Sequence, residues 1–298
     1  MVRTVTAIRN RLGECPVWSP EAQKLYWMDL LEPALYACEP GGRFARWPMP
    51  EYLGGLALRR KGGLVLGMQS RIAAFTPETG ALEDLFVFRE TGEAVRFNDG
   101  KCDCRGRFLI GNMKDPDIAA DGELVANRKV GAGSVFVLEP DLTFRLLEDG
   151  YTIPNGFAWD ADYSTLYLAD SHENAVYAYD YDREAGTIAR KRTFASAGQM
   201  PGVPDGACMD EEGCLWSARN GGGCLVRYRP DGTVDRTLTL PVSLPTSVAF
   251  GGRSMDTLFV TTASQGLSRE AIAEQPLAGA LLAVDAGVKG AAVAMFAG

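Results

Sequence analysis

The stretch NGFAWDADYSTLYLADSHENAVYAYDYD, residues 155–182, contains three short apolar runs, NGFAW, TLYLADS and AVYAYDYD, divided by turns rich in Asp, Ser and Asn. Runs of this length, built on aromatic and branched residues between turn signals, read as β-strands. The triplet recurs along the chain. Counterparts of its second run occur at KLYWMD (24–29), LVLGM (64–68), RFLIGNM (107–113), CLWSARN (214–220) and TLFVTTAS (257–264). Each is followed by a third run: ALYACEP (34–40), RIAAFTPETG (71–80), GSVFVLEPD (133–141), CLVRYRPDG (224–232) and ALLAVDAG (280–287). First runs precede them: ECPVW from Glu14, GGLAL from Gly54, DGKCD from Asp99, DGACM from Asp205 and TSVAF from Thr246, with NGFAW from Asn155 fourth in order. Successive units lie 40 to 56 residues apart. Repetition at this interval, with several strands per unit, marks a β-propeller, and six units predict an all-β, six-bladed propeller occupying residues 1–298 as one domain. Two stacked sandwiches are the alternative, but a sandwich has no reason to repeat its innermost strand six times. Helical periodicity is confined to SREAIAEQP (268–276), enough for a turn or two.

Composition narrows the function. The chain has 298 residues, 46% of them apolar, which suffices for a large buried core. Its net charge is −8 and it has no basic stretch, which argues against nucleic acid as a partner. No apolar run approaches the roughly 18 residues of a membrane span. The opening MVRTVTAIRNRLGECP has no apolar stretch of signal-peptide length. Seven irregularly spaced cysteines fit reduced thiols better than a disulfide framework, and with the preceding points predict a cytoplasmic protein. Cys102 and Cys104, alternate residues of an inner strand, read as small core fillers rather than a redox pair. The single histidine, His172, excludes a multi-histidine zinc site and leaves a Ser-His-Asp triad dependent on one residue. It reads as a loop polar group whose loop faces the mouth, within reach of substrate. No G-x-S-x-G elbow occurs, and GAGSVF (131–136) lacks the third glycine of a dinucleotide fingerprint.

In a propeller the first strand of each blade lines the central channel, and all six enter from one face. The residues that begin them, Glu14, Gly54, Asp99, Asn155, Asp205 and Thr246, are therefore expected to ring one mouth, with Trp18 and Trp159 filling an apolar column beneath. Asp-Gly and Asn-Gly are also ordinary turn formers. Carboxylates converging in a narrow channel repel one another unless a cation sits among them, which favours a metal in the channel. Glu14, Asn155 and Asp205 supply two carboxylates and an amide oxygen, a hard-oxygen set suited to calcium, magnesium or manganese. Three protein ligands leave positions open for water or substrate. In VRFNDGKCD, residues Arg96, Asn98 and Asp99 reach the same mouth. Loops between second and third strands, Gln69–Arg71, Lys114–Gly133, Ser171–Asn174, Arg219–Gly223 and Ala263–Gly279, are expected on that side, two of them long enough to act as covers.

GECPVW (13–18), RFNDGK (96–101), PNG (154–156), PDG (204–206) and the ending VKGAAVAMFAG (288–298) together resemble the senescence marker protein/gluconolactonase family, the regucalcin-like sugar lactonases. The resemblance runs from about residue 12 to the C-terminus. It implies a six-bladed propeller that holds one divalent cation and hydrolyses aldonolactones. Carried over by residue, Glu14, Asn155 and Asp205 are its metal ligands, Asn98 lies near the metal and contacts substrate, and Arg96 binds substrate. Asp99 falls in the layer behind. An acidic residue after GNM (111–113) is implied as a further substrate contact; Asp115, Asp117 and Glu123 are the candidates, with Asp115 taken first. The cofactor is then one divalent cation: calcium, zinc, manganese, magnesium or iron(II). Asp205 is the expected general base, moving a proton from water to the ring oxygen. The partner is a small sugar lactone, and a closed propeller needs no second copy, so a monomer or weak dimer is expected. Two other readings use the same residues: a phosphotriesterase or aryl esterase, and a non-catalytic calcium-binding propeller.

Overall fold

The structure, a computed structural model, describes residues 2–39, 42, 44–88, 95–114, 129–196, 198 and 200–298. Six antiparallel sheets, each of four strands, form the blades of a propeller. The innermost strands are Gly13–Ser19, Leu53–Leu58, Val95–Cys102, Pro154–Trp159, Val203–Met209 and Pro245–Gly251. Each is buried along nearly its whole length, because one face meets the blade before it and the other the blade after. The outermost strands differ. Phe44–Pro48 alternates between exposed and half-buried, and Thr187–Ala195 carries Arg190, Lys191 and Arg192 into solvent. These outer strands correct the three-strand unit expected above: with one face in water and many charges, they carry no continuous apolar run.

The ring is closed by its own beginning. Strand Val2–Thr4 pairs with Leu282–Asp285 and completes the sixth blade, so both ends of the chain lock one sheet. Trp18 stacks on Phe259 in this seam at 6.0 Å between centroids. It therefore fills the joint between the sixth and first blades and not a column beneath the site; Trp159 alone of the two tryptophans reaches the channel wall. SREAIAEQP forms the helix Arg269–Glu274, capped by the Ser268 hydroxyl accepting from Ala271 N. Among the described residues no helix is long and apolar enough to cross a membrane. All seven cysteines are free; Cys102 is buried in its strand, whereas Cys104 lies half-buried in the turn after it.

Two mouths result. At the lower one, aspartates in the turn after the innermost strand organise three successive blades. Asp103 accepts from Arg105 N and Arg107 N, Asp160 from Ser164 N and Thr165 N, and Asp210 from Glu212 N and Cys214 N. The C-terminal segment then crosses beneath the channel. Ala291 N donates to Met209 O, Phe296 N to Leu58 O and Ala297 N to Gly106 O, joining three blades. Phe296 is fully buried against Phe108, Ile110 and Val65. Above this segment the channel retains a cavity of about 280 Å³, lined mostly by small apolar side chains. Phe296→Ala should lower the free energy of unfolding in urea by about 3–5 kcal/mol, and a loss under about 1 kcal/mol would show that the tail does not dock.

Candidate metal centre and substrate mouth

At the upper mouth every innermost strand slips in register just after it begins. Glu14 pairs with Met28, but the next pair is Val17 with Tyr26. Asn155 pairs with Ala169, and pairing resumes at Ala158 with Tyr167; in the fifth blade it passes from Pro204 to Ala207. Such bulges free a residue from the ladder and re-aim its side chain. The bulged backbone is left-handed at Cys15 (φ 46°) and Gly156 (φ 65°). Glu14, Asn155 and Asp205 are thereby turned into one concavity of about 520 Å³.

Only these three of the six strand-leading residues line it among the described residues. Gly54 packs against the Phe97 carbonyl, where any side chain would collide. Thr246 is fully buried, its hydroxyl donating to Gly13 O and so bracing the Glu14 strand from behind. In the third blade the bulge falls at Asn98, between the pairs Phe97–Asn112 and Asp99–Gly111. Asn98 therefore takes the position expected of Asp99. Asp99 turns below the site and accepts from Cys15 Sγ (3.5 Å), Gly100 N (2.7 Å) and Gly156 N (2.8 Å).

A directed chain of hydrogen bonds orders the mouth. A guanidinium only donates, so the Asn98 oxygen must face Arg96 Nη1, at 2.8 Å. The Asn98 amide nitrogen then donates to Asn155 Oδ1 (3.1 Å) and Pro154 O (3.0 Å). Asn155 Nδ2 donates to Ser171 Oγ (2.9 Å), whose own proton goes to Pro204 O (2.6 Å). Each amide's orientation agrees with that of the one before, and Asn155 turns its oxygen to Asn98 and its nitrogen to Ser171 in the mouth that Glu14 and Asp205 also line. Asn220 Nδ2 donates to Asp205 Oδ2 at 3.1 Å.

Electrostatics test whether a cation fits. Glu14, Asn155 and Asp205 are each more than nine-tenths buried. Burial pushes the Glu14 carboxyl well above its ordinary range, and the nearby charges of Asp205 and then Asp99 push it further, while Arg96 opposes. Buried carboxylates that repel one another beside an oriented amide oxygen form a donor set that a divalent ion would satisfy. Among the described residues no three His, Cys, Asp or Glu side chains gather as a cage. The set is two carboxylates and an amide.

Comparison with known proteins matches residues 12–264 to the SMP-30/Gluconolactonase/LRE-like region. The chain belongs to this family. It is 35% identical to 6-deoxy-6-sulfogluconolactonase of Pseudomonas putida, over 96% of this chain and 95% of that one. It is also 35% identical to L-arabinolactonase of Azospirillum brasilense, over 97% and 93%. Its fold is similar to that of a calcium-binding protein, regucalcin, from Agrobacterium tumefaciens, with TM-score 0.90, 25% identity and coverage of 99% and 97%.

Within this gluconolactonase-family chain, Glu14, Arg96, Asn98, Asn155 and Asp205 meet at one mouth. His172 stands exposed at its rim, with its backbone N held by Asp170. Asp115, Asp117 and Glu123 lie outside the described residues. Loops 171–174 and 263–266 reach the mouth, whereas Arg71 is occupied by Glu51 and Asp84 on the blade surface. Ser171 and Asn220 belong to the loops 171–174 and 219–223 expected at the mouth and both line it, but neither was given a role, and the aspartates that close two second strands were not singled out. Asp29 accepts from Arg11 N and Leu12 N, and Asp170 from Thr152 N and Ile153 N. Each fixes the backbone leading into a site residue, Glu14 or Asn155. The signal was present: KLYWMD, TLYLAD and LWSARN all end in Asp or Asn at the same register.

Gly156 tests how tightly the ligand strands are set. A Cβ there would lie 2.7 Å from Asp205 O, whereas at Gly150, also left-handed (φ 80°), it would meet nothing within 4 Å. Both alanine variants bear the left-handed penalty of about 1–2 kcal/mol. Gly156→Ala should lose clearly more than Gly150→Ala in parallel urea titrations; equal losses would mean the two strands can part.

Proposed function

We propose that the chain is a metal-dependent sugar lactonase that hydrolyses aldonolactones to aldonic acids. The observation that carries this reading is the convergence of Glu14, Asn155 and Asp205 at one mouth, with the Asn155 amide held in one orientation, in a chain of the gluconolactonase family. The names of its lactonase relatives support the substrate class.

Glu14, Asn155 and Asp205 would hold one divalent ion. When bound, the ion supplies Lewis-acid polarisation of the lactone carbonyl and stabilises negative charge developing on its oxygen. Asp205 serves as general base: it takes a proton from the water whose oxygen attacks C1, and returns it to the ring oxygen as the C1–O bond breaks. Asn220 orients the Asp205 carboxylate for this exchange. Arg96 keeps Asn98 in place and lends positive charge beside Glu14, and both residues border the space where the sugar hydroxyls bind. A carboxylate is a weak base, sufficient for an activated ester.

Chelation should abolish hydrolysis of gluconolactone and arabinolactone, followed with a pH indicator, and Mn²⁺ or Ca²⁺ should restore it. Full activity in excess chelator would sink the metal reading, and faster turnover of an aryl ester than of any lactone would sink the substrate class. Asp205→Asn and Asn155→Ala separate ligand from base. At saturating metal, Asn155→Ala should recover most of its activity, because a neutral ligand contributes affinity and geometry. Asp205→Asn should remain about 10²–10⁴-fold slow, the range of general-base catalysis. Equal rescue of both would move the base elsewhere.

A further inference from the structure

Beneath the mouth, two residues of one strand fasten all three strands that carry the proposed ligands. Asp99 and Lys101 are alternate residues of Val95–Cys102, and both line the channel. Asp99 receives Cys15 Sγ, adjacent to Glu14, and Gly156 N, adjacent to Asn155. Lys101 crosses the channel in another direction. Its Nζ donates to the Ala207 carbonyl at 2.5 Å, two residues beyond Asp205 and at the point where the fifth blade resumes pairing. The irregular turns bearing Glu14, Asn155 and Asp205 are thus tied to the third blade from below, two through a carboxylate and one through an ammonium.

We propose that Lys101 is a positioning residue for the ion site. Its hydrogen bond to Ala207 holds the Asp205 bulge at the depth set for Glu14 and Asn155 through Asp99, so that the three oxygens converge on one ion. The inference rests on the metal reading above. The Ser171 bond holds the Asp205 turn on one side, at Pro204 O, and Lys101 holds it on the other, at Ala207 O, whereas Asp99 serves the other two strands, so loss of Lys101 should act first on the Asp205 bulge.

The sign of the effect on ion affinity decides the matter. Lys101 also places a positive charge in the channel, and like charges repel. If charge were its whole contribution, Lys101→Met would bind a divalent ion more tightly than the wild type. Positioning predicts the reverse. Titration of the metal-free full chain with Mn²⁺, followed by calorimetry and by the electron paramagnetic resonance of the bound ion, measures both affinity and ligand symmetry. Lys101→Met should bind about tenfold more weakly, within the loss usual for removing a group that orients a metal ligand, with an altered resonance. Lys101→Arg, which keeps charge and donors, should return affinity to near the wild-type value. Unchanged or tighter binding in Lys101→Met overturns the proposal. If Lys101→Met does not fold, Lys101→Gln, whose amide stops short of Ala207, takes its place with the same opposed outcomes. A wild-type chain that binds no Mn²⁺ overturns the metal reading and this one together, whereas wild-type binding with indifferent variants overturns only this one.

Discussion

Glu14 and Asp205 are buried together at one end of a channel, with Asp99 beneath them, and their mutual repulsion in a low dielectric is the constraint around which this molecule is arranged. A flexible loop would relieve such repulsion by moving apart. Here the three residues lie within the innermost strands of three different blades, and each strand is clamped on both faces by its neighbours. The ring cannot widen at the mouth without unstacking blades, and the sixth blade is itself locked by Val2–Thr4. The rigidity of the fold therefore holds together acidic groups that would otherwise separate.

The direction of the hydrogen bonds matters as much as their number. Because Arg96 can only donate, every amide downstream of it is fixed in one orientation as far as Pro204 O. Pro154 O can only accept and the Ser171 proton is committed to Pro204 O, so Asn98 and Asn155 are each held in that orientation from a second side as well.

What the sequence disclosed follows from how each part is buried. Inner strands such as GECPVWS and PNGFAW are enclosed on both sides and read as short, mostly apolar runs, so the six-fold repeat was legible. Outer strands such as TIARKRTFA are mostly exposed to water and carry no apolar run, so the fourth strand of each blade was not read. Glu14, Asn155 and Asp205 were legible because each begins a run at the repeat position. Asp99 was misplaced by one residue, since sequence alignment follows the Asp-Gly pair while the backbone places its bulge at Asn98. Ser171 was expected only as one end of a mouth-side loop, because its role lies in a bond to a side chain sixteen residues earlier, which no spacing rule encodes.

The amide at position 155 has a charge rationale. Glu14 and Asp205 together match a divalent ion, and Asp99 in the layer below is matched by Lys101, whose ammonium lies in the same channel wall. A carboxylate in place of Asn155 would add a third negative charge to a site already crowded enough to raise Glu14. It would also lose the donor that Ser171 accepts, leaving that hydroxyl with its proton committed to Pro204 O and a second acceptor facing it. A neutral oxygen that is anchored through its own nitrogen avoids both costs.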